Sequence, residues 1–277
     1  MLLSTPGNYF LGKPQFLDNP HGWIPHIPFA FWLMEVIDPS VLVELGTYSG
    51  NSYFAFCQAR KALGLSTRCF AVDTWQGDMH VGNYGKEIYE QVSKINQKEF
   101  AGFSTLLRME FDKALDSFSE GSIDVLHIDG THTYAAARND FDNWLPKMSH
   151  QGIILLHDTE VRRPGFEVWK LMEEIRKRYK LLEFPFGEGL AAICTGENPP
   201  APINELIELS KKDLQIIQWF EILGNNILLE KEREDLKQET KKWKQKTAAI
   251  NVELLKEKRK TKTLKKQLGQ NHPNPKP

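Results

Sequence analysis

The chain has 277 residues, 41% of them hydrophobic and 26% charged, with a formal net charge of −1. That is enough apolar material for one full α/β core with residues to spare. Three cysteines, Cys57, Cys69 and Cys194, are too few and too scattered for a disulfide framework or a zinc site, and no apolar run approaches the roughly 20 residues that span a bilayer. The first residues show no basic start, apolar stretch and small-residue cleavage site, so a cytoplasmic protein is expected.

The net charge hides an asymmetry. Residues 201–277 carry 17 Lys and Arg against 11 Asp and Glu, and residues 1–200 carry 18 against 25. An acidic body with a basic arm argues against nucleic acid as the main ligand, although the arm can meet something anionic.

In chain order, residues 1–28 are rich in Pro, Gly, Asn and aromatics, and regular structure is not expected before Pro28. Residues 29–37 read as a short apolar helix ending at Asp38-Pro39. The run 41–45, Val-Leu-Val-Glu-Leu, is a buried strand closing on an acid. A loop carrying Gly46 and Gly50 follows, and then a helix over 52–63. Gly46 takes backbone conformations closed to other residues, and Gly50 lets a ligand approach the main chain where the helix begins. Residues 67–73 form a second buried strand that also ends on an acid. Asp73, 23 residues past Gly50, is the ribose candidate, since an acid roughly 20 residues beyond such glycines accepts from ribose hydroxyls.

Residues 75–102 form an aromatic, glycine-containing segment with a helix over 86–97, a lid in position. A short strand over 104–109, a short helix opening at Phe111-Asp112, a strand over 123–129 and an amphipathic helix over 134–145 come next. The following strand, 152–158, closes on His157-Asp158. A helix over 166–179 and a strand pair, 181–184 and 190–194, complete the body. Alternating strands and helices imply a parallel sheet covered on both faces, with the last pair antiparallel.

Four motifs in this order, Glu44-x-Gly46-x-x-x-Gly50, Asp73-Thr74-Trp75-Gln76-Gly77, Ile128-Asp129-Gly130-Thr131-His132-Thr133-Tyr134 and Leu156-His157-Asp158, resemble class I S-adenosylmethionine-dependent methyltransferases. The resemblance covers about 21–196 and is nearest to methyltransferase family 24, whose members often stand beside or are fused to bacterial glycosyltransferases. It implies a Rossmann-like fold with a mostly parallel seven-stranded sheet and a terminal antiparallel pair. It also implies a loop, Glu44, Gly46, Thr47, Tyr48, Gly50, Asn51 and Ser52, that cradles the methionine part of the cofactor. Asp73, Thr74 and Trp75 then border the ribose, and Phe111 and Asp112 flank the adenine. For Asp112 a helix N-cap is an equal reading, and for Trp75 packing is the simpler one. Tyr48 departs from the glycine that many methyltransferases carry there. The loop also lacks the Gly-x-Gly-x-x-Gly spacing that a pyrophosphate requires.

Asp129 and His157-Asp158 end adjacent strands, so two carboxylates at one sheet edge can hold a divalent cation. By resemblance to metal-dependent sugar O-methyltransferases, Asp129, His157 and Asp158 are the metal candidates. The family's usual pair of carboxylates is here His157-Asp158, which leaves Mg²⁺, Mn²⁺ and no metal all open. The resemblance makes His132 the general base with Asp129 beside it, a task that suits an imidazole of pKa near 6.5; the alternative is a histidine that only caps the helix. His127 and Trp144 read as core.

The arm divides differently. Pro199 to Pro202 make a stiff linker, 203–223 an amphipathic helix, and 226–268 a charged helix in which Leu229, Leu236, Trp243 and Ile250 recur at spacing seven. The second apolar position of each heptad is mostly polar until Leu254, so a strong coiled coil does not follow, and a weakly self-associating helix and a solvated one both remain. Residues 241–277 carry twelve Lys and Arg against Glu253 and Glu257, a surface able to meet anionic lipid, a glycan intermediate or an acidic partner. Disorder is expected over 269–277. The expected divisions are thus 1–28, 29–197, 198–225, 226–268 and 269–277. The expected activity is O-methylation of a small hydroxylated acceptor, a sugar of a surface glycan by the company the family keeps, with S-adenosylmethionine as cofactor, a glycosyltransferase or a second copy as partner, and the inner membrane face as a peripheral contact. An NAD-binding oxidoreductase and a non-catalytic scaffold are the alternatives.

Overall fold

The run 41–45 forms β1 (Val41–Leu45), in which every residue is buried, as a strand covered on both faces must be. In the computed structural model, which describes residues 9–78, 82–83 and 85–270, β1 lies inside a seven-stranded sheet. The other strands are β2 (Arg68–Asp73), β3 (Ser104–Arg108), β4 (Ile123–Ile128), β5 (Met148–His157), β6 (Lys180–Phe184) and β7 (Leu190–Cys194). Their order is β3-β2-β1-β4-β5-β7-β6. The first five pair in parallel, and β7 runs antiparallel to both β5 and β6. The chain turns back between β1 and β4, so the carboxyl ends of β1, β2, β4 and β5 share one edge at the switch point where ligands bind in such sheets.

Side chains alternate along the strands, and each face meets its own helical layer. Leu42 and Val125 join the core under α1 (Ile27–Ile37), α2 (Asn51–Leu63), α3 (Lys86–Glu99) and α7 (Ala201–Lys212), whereas Val43 and Leu126 join the core under α4 (Phe111–Ala114), α5 (Tyr134–Trp144) and α6 (Val168–Ile175). The start of α8 (Gln215–Gln270) belongs to the first layer. Phe220 packs edge-on against Phe29 and Phe184, and burying each such ring contributes about 1.5–3 kcal/mol. Gly224 allows this approach, because any Cβ there would run into the Pro25 carbonyl.

Several boundaries differ from the sequence expectation. Regular structure begins before Pro28, with 3₁₀ turns at Tyr9–Leu11 and Ile24–His26. β5 takes in the polar residues 149–151, because pairing of Ile123 with Met148 resumes past a register shift. Helix 166–179 shortens to α6. The helix expected over 203–223 is two helices. Asp213 is extended (φ −142°, ψ 102°) and its Oδ1 accepts the Gln215 N–H at 2.9 Å, a side-chain cap that ends α7 and starts α8. The charged arm is therefore part of one 56-residue helix. Of the tail 269–277, residues 269–270 close α8 and 271–277 lie outside the described residues. The segment expected as a lid carries a small antiparallel ribbon, Gly77–Asp78 with Gly82–Asn83.

Residues up to Leu228 form one compact unit and those from Leu229 on a second. Among the described residues, no helix is long and apolar enough to cross a membrane.

Candidate active site

The loop after β1 is shaped by three residues in left-handed backbone: Gly46 (φ +87°), Tyr48 (φ +46°) and Gly50 (φ +88°). At Gly46 a Cβ would strike the Asp129 carbonyl, so the loop lies directly on the end of β4. Tyr48 stands where a glycine is common, and its conformation costs on the order of 1–2 kcal/mol. Two bonds hold it: its N–H donates to Asp73 Oδ2 at 2.9 Å, and its carbonyl accepts the Trp75 Nε1–H at 2.9 Å.

Asp73 is thus a clamp on the loop. Its Oδ2 accepts the N–H groups of both Thr47 and Tyr48 at 2.9 Å, and its Oδ1 accepts the Trp75 N–H at 2.7 Å. Trp75 is 1% exposed and packs on Tyr89 at 5.0 Å, which is the packing role. Thr74 caps its own turn through Oγ1, which accepts the Gln76 N–H. Asn51 is committed elsewhere: its amide donates to the carbonyls of Asp18 and Pro20 and its Oδ1 accepts the Asp18 N–H, stitching the N-terminal segment to α2. Ser52 is buried in the first turn of α2.

Glu44 is fully buried and pairs through Oε2 with His127 Nδ1 at 2.8 Å. His127 Nε2 accepts the Trp23 indole N–H at 3.0 Å, so Nδ1 carries the imidazole proton and donates it to Glu44. His127 is therefore structural. Phe111 lies over Gly130, where a side chain would collide with its ring. Asp112 does not cap α4, since Glu110 occupies the N-cap; its Oδ1 instead accepts from Asn139 and Asn143 of α5, at 3.2 Å each.

The ends of β4 and β5 bring Asp129, His132 and Asp158 together, with one donor atom of each within 4.8 Å of the others. His132 Nε2 lies 2.6 Å from Asp158 Oδ2 and 3.6 Å from Asp129 Oδ1. The cap of α5 is Thr133, whose Oγ1 accepts the Ala136 N–H, so His132 is free of the capping role considered for it. Its ring stacks on Phe166 at 4.5 Å. Asp158 holds a left-handed backbone (φ +60°), a strained conformation of the kind that clusters at functional sites.

His157, expected among the metal ligands, stands behind this trio. Its Nε2–H donates to the Gly187 carbonyl at 3.0 Å, and its Nδ1 faces Asp129 Oδ1 at 3.3 Å and Asp158 Oδ2 at 3.7 Å. The three-residue cluster is therefore Asp129, His132 and Asp158.

The charges explain each other. Burial would lower His132, but the hydrogen bonds it donates to Asp129 and Asp158 outweigh it and push its pKa up to about 10. Burial likewise opposes His157, yet the charges of Asp129 and Asp158 raise it to about 9. Burial would raise Asp129, but the charge of His157 and the hydrogen bond from His132 hold it well below the usual carboxylate range. The expectation of a histidine titrating near 6.5 is thus corrected: two carboxylates keep His132 an imidazolium in this arrangement.

The sequence reading missed the hairpin residues between β6 and β7. Glu188 has a raised pKa, through burial first and the Asp158 carboxylate second, and it pairs with Arg163 at 3.1 Å. His26 donates from Nε2 to the same Gly187 carbonyl at 2.9 Å and stacks on Phe186 at 5.1 Å. A signal existed in the motif Gly187-Glu188-Gly189, an acid held between two left-handed glycines at the sheet edge that carries the site.

Two buried oxygens suit a cofactor bearing ammonium and hydroxyl donors. Thr47 Oγ1 and Glu44 Oε1 have no hydrogen-bond partner among the described residues, and unmatched buried polar atoms are uncommon. Asp158 Oδ1 is likewise unmatched. Two carboxylates and an imidazole form a donor set that fits a hard or borderline divalent cation.

Residues 43–159 match the family model for methyltransferase family 24, described as a methyltransferase domain. A curated relative, Uncharacterized protein y4gI of Sinorhizobium fredii (strain NBRC 101917 / NGR234), is 42% identical over 228 residues, which is 81% of this chain; the chain spans 24% of that relative's length. Among solved structures, the chain is similar to the SAH-bound methyltransferase PaMTH1 of Podospora anserina (16% identity, 67% of this chain and 92% of that one, TM-score 0.48). It is also similar to the O-methyltransferase TomG of Streptomyces achromogenes in complex with SAM (11% identity, 68% and 95%, TM-score 0.46).

Proposed function

Because residues 43–159 belong to methyltransferase family 24, we propose that the folded body transfers the methyl group of S-adenosylmethionine to a hydroxyl of a small polyhydroxylated acceptor, a sugar of a surface glycan. The observation that carries this reading is the position of the Asp129, His132 and Asp158 cluster beside the Gly46 loop. On this reading acceptor and methyl donor would share one sheet edge.

The glycine loop and Asp73 would hold the cofactor's methionine and ribose, with Glu44 Oε1 and Thr47 Oγ1 as acceptors toward its donors. The acceptor oxygen attacks the sulfonium methyl in line: the C–O bond forms, the C–S bond breaks, and its electron pair stays on sulfur. Such transfer depends mainly on alignment. His132 Nε2, after losing its own proton to solvent, would receive the hydroxyl proton. Asp129 and Asp158 would hold a divalent cation, Mg²⁺ or Mn²⁺, which when bound draws carboxylate charge away from His132 and acidifies the hydroxyl. Arg163, stacked over Phe166 at 4.5 Å and paired with Glu188, supplies paired charges able to meet the hydroxyls of a sugar. A glycosyltransferase partner belongs to the same proposal.

Incubation with methyl-labelled S-adenosylmethionine, a panel of hydroxylated sugars and either cation tests the reading. Label transfer that Asp129→Ala abolishes supports it; transfer that survives both this substitution and chelation contradicts the role given to the cluster.

A further inference from the structure

The second unit of the chain is the part of α8 from Leu229 on, and one face of it is apolar and uncovered. Leu229, Leu236, Trp243, Ile250 and Leu264 are 61%, 63%, 58%, 56% and 58% exposed. They recur every seven residues, interrupted once by Glu257. A stripe at this period keeps facing a partner helix along a left-handed supercoil, as the 3.6-residue period of an isolated helix does not. With these residues at the d positions of a heptad, the a positions are Arg233, Thr240, Thr247, Leu254, Thr261 and Leu268. The seam is thus aliphatic or aromatic at every d position but Glu257, and threonine at three of the six a positions.

The flanking charges choose the occupant. In a parallel, in-register pair each g residue faces the e residue of the next heptad on the other chain. Here Glu232 meets Lys237, Glu239 meets Lys244, and Glu253 meets Lys258, each opposite in sign and each repeated by the two-fold axis. Lys246 meets Asn251 without charge, and only Lys260 opposes Lys265. An antiparallel pair sets e against e, and would place Lys237, Lys244, Lys258 and Lys265 in mutual repulsion.

We propose that the α8 arm from Leu229 to Leu264 is a dimerisation surface that binds a second copy of this chain as a parallel, in-register two-stranded coiled coil. Polar a positions and Glu257 at d keep the pair moderate in affinity, and the second copy is selected by the g–e′ charges more than by apolar area.

Sedimentation velocity on the full chain over a range of concentrations tests this. The expected result is a monomer–dimer equilibrium whose dissociation constant rises roughly tenfold or more in a Leu236→Lys, Ile250→Lys double variant with an unchanged melting transition of the folded body. Glu239→Lys should weaken the pair, and adding Lys244→Glu should restore it. Thr247→Cys should give a disulfide-linked dimer on mild oxidation, since a parallel in-register pair sets this a position against itself, while Cys57, Cys69 and Cys194 are buried. A monomer at every concentration overturns the proposal. So does a dimer indifferent to the double variant, a failed cross-link at position 247, or a monomeric chain that binds only phosphatidylglycerol vesicles through its basic face.

Discussion

His132 Nε2 and Asp158 Oδ2 stand 2.6 Å apart at the ends of the β4 and β5 crossovers, and the Asp129 carboxylate together with this contact raises the His132 pKa. The imidazole proposed as the base is held as a cation by the carboxylates proposed as cation ligands. His132→Ala should therefore lower turnover by about 10²–10⁴-fold while leaving S-adenosylmethionine affinity nearly intact. Single-turnover kinetics alongside calorimetry separates the two, and a large loss of cofactor binding would assign His132 to the loop architecture instead.

The same contact makes stability depend on pH. The His132 pKa in the folded chain, about 10, lies above its ordinary 6.5, so the proton is bound more tightly in the folded state. The stabilisation is complete below about pH 6.5 and is lost as pH rises through about 10. In the presence of a chelator, the melting temperature of the wild type should fall over this window by more than that of His132→Ala. Parallel profiles for the two proteins would contradict the pairing.

Asp73→Asn removes the carboxylate that accepts three backbone N–H groups and turns an amide donor toward some of them. Leaving such buried donors unmatched costs about 1–3 kcal/mol each. The variant should melt lower and bind S-adenosylmethionine more weakly, because Tyr48 loses one of the two bonds that hold its left-handed backbone. Unchanged affinity in calorimetry would show that the loop keeps its shape without the clamp.

Asp140 on α5 is a buried carboxyl whose pKa is raised to about 7, by burial first and by the Asp112 charge second. A group raised above its unfolded value stabilises only while protonated, so this contribution is present below about pH 4 and is lost as pH rises through about 7. Asp140→Asn should raise the melting temperature near pH 8 and change it little near pH 5. The reverse order would mean that the carboxylate has a cationic partner.

How much of this was legible in the sequence depends on where each interaction's partners lie. β1 and β4 read directly because strands buried on both faces are largely apolar runs, and the acids at their ends marked the edge that carries the site. The start of β5 did not, since Ser149, His150 and Gln151 are polar and enter the strand through pairing with β4 past a register shift. Asp213 looked like one more polar residue in a helix, yet its carboxylate caps the next one. His132 was found at its position, but its charge was not, because one of the two carboxylates that fix it is 26 residues away at the end of another strand. Glu188, His26 and Gly187 meet the site only through the hairpin between β6 and β7 and through the 3₁₀ turn before α1; the Gly187-Glu188-Gly189 motif marks the turn, but no local pattern encodes its partners.

Calorimetric titration of the full chain with S-adenosylhomocysteine, and separately with NAD, tests the methyl-transfer reading most directly. Saturable binding of S-adenosylhomocysteine that weakens in Asp73→Asn and in Gly46→Ala, with no heat from NAD, is the result expected of a loop seated on the Asp129 carbonyl. Binding of NAD, or no uptake of S-adenosylhomocysteine by the folded protein, would contradict it.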